Sequence, residues 1–289
     1  MFDHNKACRI IRSGHVLEVF FYDKLPKGKG EKLDEGPLLN VYGDEIANSF
    51  PAIVYDDFYD QELFGVVFRG IKWIDKAEFP SEWQARDERR AKEYIRSSNH
   101  RSREKIRRLA LANFDRHDTF MTLTFADNVT DLDYANNELK KFFKRFRYQY
   151  GEEVPYLAVI EFQKRGAIHY HCLLGHDFEI NYTDSDIRHA KEQEIADIWG
   201  HGWVDLQDIR DVDNLGAYLV KYLTKDLGDT RLSGRKHYML SKGLKHPELI
   251  KDTRVMLDSL DGYYPTFSSN FENEFCGHVQ YLEYNLLRS

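Results

Sequence analysis

The stretch "PYLAVIEFQKRGAIHYHCLL" (155–174) decides how the chain is read. Two apolar runs of strand length, 155–163 and 167–174, are separated by the charged turn Lys164-Arg165-Gly166, which predicts a β-hairpin. Side chains alternate across a strand, so His169 and His171 share one face and Tyr170 and Cys172 take the other. Histidine is costly to bury without a partner, so the pair must face something. With twelve histidines in 289 residues an H-x-H pair carries little weight by itself. Histidines on a strand are also commonly satisfied core or groove residues. The register of the hairpin adds the missing information. If 164–166 is a three-residue loop with Gly166 in the left-handed position of a bulge, 163 faces 167 and 161 faces 169. Glu161, His169 and His171 then share one side, with Gln163 in reserve. A two-residue Arg165-Gly166 turn would set Tyr170 opposite Glu161 and destroy the grouping. Two imidazoles and a carboxylate are a suitable donor set for a divalent cation.

Outward from the hairpin the elements are legible. "TFMTLTFADN" (119–128) alternates threonine with apolar residues and reads as a strand. Residues 131–150 form an amphipathic helix, with Leu139, Phe142, Phe143 and Phe146 at helical spacing and Gly151 as a stop. A second helix covers 185–199, ending at Trp199-Gly200, and "GWVDLQDI" (202–209) is a further strand. A third helix covers 213–226, with Asp213 as its N-cap and Gly228 as its stop. The order from Thr119, β-α-β-β-α-β-α, predicts an α+β fold: a central, mainly antiparallel sheet flanked by helices. Residues 82–113 read as a long basic helix, and 15–80 as β-rich and irregular around the loop "KLPKGKGEKLDEGP". The expected organisation is an N-terminal extension (1–80) of open role, a basic helical segment (81–113), a main domain (114–228) and a C-terminal segment (229–289) packing on it.

Composition sets limits. At 42% hydrophobic the chain can bury a sizeable core. Three cysteines without C-x-x-C spacing argue against a disulfide framework or a zinc ribbon and for a reducing, cytoplasmic setting. No apolar stretch has the length of a membrane span. A net charge of −7 does not advertise a nucleic-acid partner, but binding needs only a local patch. Residues 86–108 carry ten Lys/Arg against four Asp/Glu, and 138–150 add five more bases. A solvated helix face is the plain reading of such runs. The sharper one assigns Arg96, Arg101, Arg103, Lys105, Arg107 and Arg108 to phosphates.

The helix at 213–226 has two stripes. Leu215, Leu219 and Leu223 form the apolar one. Tyr218, Lys221, Tyr222 and Lys225, at i, i+3, i+4 and i+7, form another beside it. Tyrosines packed on a sheet with lysines snorkelling alongside would account for this. The pattern also suits a phenol nucleophile with an ammonium next to it, which favours phenolate or steadies a phosphate. A cation held by Glu161, His169 and His171 would polarise a phosphodiester, and a tyrosine oxygen would attack the phosphorus.

These residues resemble the HUH-type endonucleases, and among them the rolling-circle replication initiators of small phages and plasmids. "FMTLTF" (120–125) is similar to the family's first motif, a strand at the sheet centre. "EFQKRGAIHYH" (161–171) is similar to the second, and "YLVKYLTK" (218–225) to the third, Y-x-x-K. "GRKHYMLSKGLKHPE" (234–248) resembles, less specifically, a tail found in phage and plasmid members. The resemblance, over roughly 100–228, implies an HUH nuclease domain within 114–228. It also implies Glu161, His169 and His171 as ligands of Mg2+ or Mn2+, Tyr218 as nucleophile with Lys221 its companion, and Tyr222 as a second tyrosine. The implied product is a 5′-phosphotyrosine with a free 3′-OH that primes synthesis. The implied partners are single-stranded or hairpin origin DNA and, since the chain has no G-x-x-x-x-G-K-[ST] loop, a host helicase and replication machinery in a bacterial cytoplasm. Lys225 joins the expected DNA contacts. The same chemistry in a transposase or conjugative relaxase, a cupin-like metalloenzyme using Glu179, and a DNA-binding regulator without catalysis are the alternatives.

Overall fold

The computed structural model describes residues 7–24, 100–151, 154–225, 236–273 and 277–288, the side chains of 223–225 and 273 excepted. The chain divides into two compact units. One holds Ile11–Glu18, Glu93–Ile250 and Tyr284–Ser289, and the other Met1–Ile10, Val19–Lys92 and Lys251–Glu283. The elements are β1 (Ala7–Ser13), β2 (Val16–Tyr22), α1 (100–113), β3 (Thr119–Thr124), α2 (Leu132–Tyr150), β4 (Tyr156–Phe162) and β5 (Ile168–Leu174). They continue with α3 (Ser185–Trp199), β6 (Val204–Gln207), α4 (Leu215–Lys225), β7 (Tyr238–Leu240), β8 (Glu248–Ile250), α5 (Thr253–Ser259), β9 (Phe267–Asn273) and β10 (Gly277–Asn285). The fold is α+β. Among the described residues no helix is long and apolar enough to cross a membrane.

The central sheet runs β6-β3-β5-β4-β7, antiparallel throughout. Its middle is the hairpin that the sequence predicts. Glu161 pairs with His169 and Phe162 with Ile168. Gln163 N donates to Ala167 O at 2.8 Å, Gly166 N donates to Gln163 O at 2.7 Å, and Gly166 has φ +89°. That is the three-residue loop with a left-handed glycine, a conformation an L side chain adopts only with strain.

Alternation then sorts the sheet into two faces. Met121, Leu123, Ala158, Ile160, Ile168, Tyr170, Cys172 and Leu174 meet α2 and α3 through Leu139, Phe142, Phe146, Ile195 and Trp199. Phe120, Leu157, Val159 and Leu173 meet α1 and α4 on the opposite face, through Ile106, Leu109, Leu215 and Leu219. The helix ends follow their caps. Asp131 accepts from Asp133 N and Tyr134 N to start α2, Asp184 does the same for α3, and Gly151 and Gly200 close them at φ +74° and +71°.

Three expectations are corrected. The strand read over 119–128 stops at Thr124, because Ala126 N donates instead to His201 O at 2.8 Å in a turn. The start of α4 is capped by Asn214, whose Oδ1 accepts from Ala217 N at 2.9 Å, and not by Asp213. Asp213 is engaged elsewhere: its carboxylate holds Arg288, and its carbonyl oxygen lies 2.9 Å from His15 Nε2. The third is the strand read over 202–209, which is confined to Val204–Gln207. The stop at Gly228 and the helix over 82–99 lie outside the described residues. A second sheet, order β8-β1-β2-β10-β9, draws on residues near both ends of the chain.

Candidate active site

Strand register assembles the site. Thr124, His169 and Glu161 lie in one row across β3, β5 and β4, while Thr122 and His171 lie in the next. All face α4. His171 is buried, and both of its nitrogens are engaged: Nε2 meets the Glu161 carboxylate, and Nδ1 lies 3.1 Å from the Thr122 hydroxyl. A carboxylate only accepts, so Nε2 carries the proton and Nδ1 accepts from Thr122.

His169 is different. Its Nε2 is buried and, among the described residues, has no hydrogen-bond partner. Burial, helped by the neighbouring His171, pushes its pKa down to about 4, so the ring is neutral near pH 7. A buried neutral imidazole with an unsatisfied nitrogen, beside a carboxylate and a second imidazole, fits a divalent cation. The set is not drawn together as it stands. Among the described residues no three His, Cys, Asp or Glu side chains are grouped to hold an ion, because Glu161 is turned to His171. Gln163, the reserve donor, is occupied by Arg165 Nε at 2.8 Å.

From the other side α4 presents Tyr218 and Tyr222. Gly216 lets this helix come close to α1, since a Cβ there would lie 2.4 Å from Arg107 O. Leu215 and Leu219 are buried, leaving the tyrosines half-buried over the sheet. The Tyr222 ring stacks on His171 at 3.8 Å between centroids, and both tyrosines pack on Phe120. Lys221 Nζ lies 3.5 Å from the centroid of the Tyr218 ring, so the ammonium sits on the ring face rather than at the hydroxyl.

The hydroxyls form a directed chain. Tyr222 Oη donates to Tyr218 Oη at 3.5 Å, and Tyr218 Oη donates to Gln207 Oε1 at 2.6 Å. Gln207 Nε2 donates in turn to Asp205 Oδ2 at 2.9 Å. Tyr218 therefore both accepts and donates, and Tyr222 donates to it. Burial, then the bond to Tyr218, then the charges of Glu161 and Asp205 raise the Tyr222 phenol above its ordinary range. Tyr222 is the harder of the two to ionise on this account.

Thr122, Asp205 and Gln207 are absent from the sequence-based expectations. Their one sequence signal is alternation: 203, 205 and 207 face α4, whereas Val204 and Leu206 face the other core.

The expected DNA contacts divide. α1 lies on the same side of the sheet as the site, and Arg101, Arg103 and Lys105 are at least partly exposed along it. Arg108 is a correction. It is 1% exposed, and it donates to Glu18 from Nε at 2.6 Å and from Nη2 at 3.1 Å, so no phosphate can reach it. Arg107 is mostly buried too and donates to Glu18 Oε1 at 3.1 Å. A buried carboxylate needs such partners. The bases of α2 lie on the helix that covers the opposite face. Arg145, for one, donates to the carbonyls of Ile198 and Trp199 at the end of α3. Arg96 and the Lys225 side chain lie outside the described residues.

Residues 118–227 match the family described as Replication-associated protein ORF2. The similarity is to replication. The matched segment contains Thr122, Glu161, His169, His171, Gln207, Tyr218, Lys221 and Tyr222. The chain is also 33% identical over 128 residues to the phasyl DNA replicon protein arp of Escherichia coli, covering 37% of this chain and 43% of that protein. The chain thus spans less than half the length of the curated relative it matches. No solved structure matches it.

Proposed function

We propose that the chain is a site-specific single-strand DNA nickase and ligase of HUH type that initiates rolling-circle replication. The observation that carries this reading is the meeting of two half-sites on one sheet face. The Tyr222 ring stacks on His171, while Tyr218, joined to Tyr222 through their hydroxyls, lies over the same strands as Glu161 and His169. The similarity of this segment to replication proteins supports the biological setting.

Glu161, His169 and His171 would hold Mg2+ or Mn2+, which when bound supplies Lewis-acid polarisation of a phosphodiester oxygen. The chain's own groups do the rest. Tyr218 Oη attacks phosphorus as the P–O3′ bond breaks. Its proton leaves, and the departing oxygen gains one and becomes a free 3′-OH. The 5′ end stays on the enzyme as a phosphotyrosine diester, which keeps the bond energy for rejoining when a 3′-OH attacks in reverse. Gln207 fixes the direction of the Tyr218 hydroxyl before attack. Lys221 places a positive charge on the tyrosine pair, where negative charge develops. Tyr222, linked to Tyr218, is placed to act as the second nucleophile when the circle closes. Host helicase and polymerase would then extend the released end.

Single-stranded DNA of the replicon that encodes the chain, incubated with protein and Mn2+, should give a covalent complex that survives boiling in detergent. Label at the 3′ end of the strand should follow the protein, and the released 5′-labelled fragment should be extendable by a polymerase. Strand cleavage without covalent protein, or release of an end that no polymerase extends, contradicts the reading.

A further inference from the structure

The row of residues that holds Glu161 and His169 does not end at β3. Trp203 N donates to Thr124 O at 3.1 Å, and Thr124 N donates to Trp203 O at 2.9 Å, so Trp203 pairs with Thr124. Thr124 pairs with His169, and His169 with Glu161. Directly paired residues share a face of the sheet. Trp203 therefore lies in line with the candidate ligands on the face that α4 only partly covers. The parity is fixed independently by Val204 and Leu206 in the opposite core and by Gln207 reaching Tyr218.

Most of this row and its neighbours is buried or half-buried, but Trp203 is 62% exposed. Its position is built in. Gly202, at φ +148°, has Ala126 N and Thr124 O only 2.5 Å from where a Cβ would stand, so the backbone entering β6 is clamped against β3. A cation is fixed at the same end of β3: Arg165 Nη2 donates to Phe125 O at 2.9 Å and Nη1 to Ala126 O at 3.4 Å, and its side chain is exposed. A rigidly placed, exposed indole with a tethered guanidinium matches the chemistry of single-stranded nucleic acid, whose bases stack on aromatic faces while its phosphates seek charge. A protein partner would account for the indole but gives no reason for the cation, or for the alignment with the proposed phosphodiester site.

We propose that Trp203 is a stacking platform for an unpaired DNA base next to the phosphate that is cut, with Arg165 on the adjoining phosphate. The location relative to the cut rests on the nickase reading, whereas the stacking itself does not.

The test uses labelled oligothymidylate, titrated in EDTA with the unmodified protein, Trp203→Ala and Trp203→Phe, beside an abasic strand of equal length. Stacking predicts about tenfold weaker binding of oligothymidylate by Trp203→Ala and near-complete recovery in Trp203→Phe. All three proteins should bind the abasic strand alike, which also shows that the variants are folded. Unchanged affinity in Trp203→Ala, or an equal loss on the abasic strand, overturns the platform. Adduct formation on replicon DNA is followed in parallel. An adduct without any effect of Trp203 on binding defeats the platform and leaves the nickase. A Trp203 effect without an adduct in the unmodified protein defeats the nickase and leaves the platform.

Discussion

At the scale of single residues, the site separates two tyrosines that the sequence leaves equivalent. Tyr218 and Tyr222 sit one helical turn apart with Lys221 between them, and nothing in their spacing ranks them. The ranking comes from Gln207 and Asp205, which take the Tyr218 proton's hydrogen bond and pass it to a carboxylate. Replacing Gln207 with Leu should slow adduct formation on Tyr218 by about ten- to a hundredfold, through lost orientation. It should also raise the share of adduct found on Tyr222 by peptide mapping. A uniform loss on both tyrosines would mean that Gln207 serves the fold alone. The histidines were half legible. Their common face follows from alternation, but the orphaned Nε2 of His169 and the engagement of His171 by Thr122 depend on burial and cross-strand partners. A linear pattern does not contain those.

At the scale of elements, the hairpin was the most legible piece, because glycine chemistry and loop length together leave one register. Gly166 at φ +89° holds that register, and Gly166→Ala should destabilise the protein by about 1 kcal/mol in equilibrium unfolding. Stability equal to the parent would show that the loop relaxes to another turn. Helices α2 and α3 were legible for a similar reason: Asp131, Gly151, Asp184 and Gly200 mark their ends by side-chain or backbone chemistry local in sequence. Where two acidic or amide residues stand together, as Asp213 and Asn214 do, local chemistry does not choose. The choice fell to Arg288, distant in sequence, which takes the Asp213 carboxylate and leaves Asn214 to cap α4. The second sheet escaped notice for the same reason, since β1 and β2 share it with β9 and β10 from the far end of the chain.

At the scale of the whole molecule, charge is local rather than net. The chain carries −7, yet α1 brings bases to the side of the sheet where the tyrosines stand. From sequence these bases look alike; burial separates them. Arg108 neutralises Glu18 inside the protein, so Arg108→Ala should cost about 3 kcal/mol of stability, seen as a lower unfolding midpoint, with the salt dependence of DNA binding unchanged. Exchanging Arg101, Arg103 and Lys105 together for Gln should do the reverse. The slope of log affinity against log salt should fall by about one for each phosphate no longer neutralised, on single strands or duplex, with little change in stability. A triple variant with an unaltered slope would place the DNA off this helix.

The central claim is that a tyrosine on α4 becomes covalently joined to DNA over the Glu161, His169 and His171 face. It is tested most directly by measuring covalent adduct on replicon single-stranded DNA with Mn2+ for the unmodified protein, Tyr218→Phe, Tyr222→Phe and the double variant. The account predicts abundant adduct for the unmodified protein, persistence in Tyr222→Phe, near-complete loss in Tyr218→Phe and none in the double variant. Undiminished adduct in the double variant would contradict it.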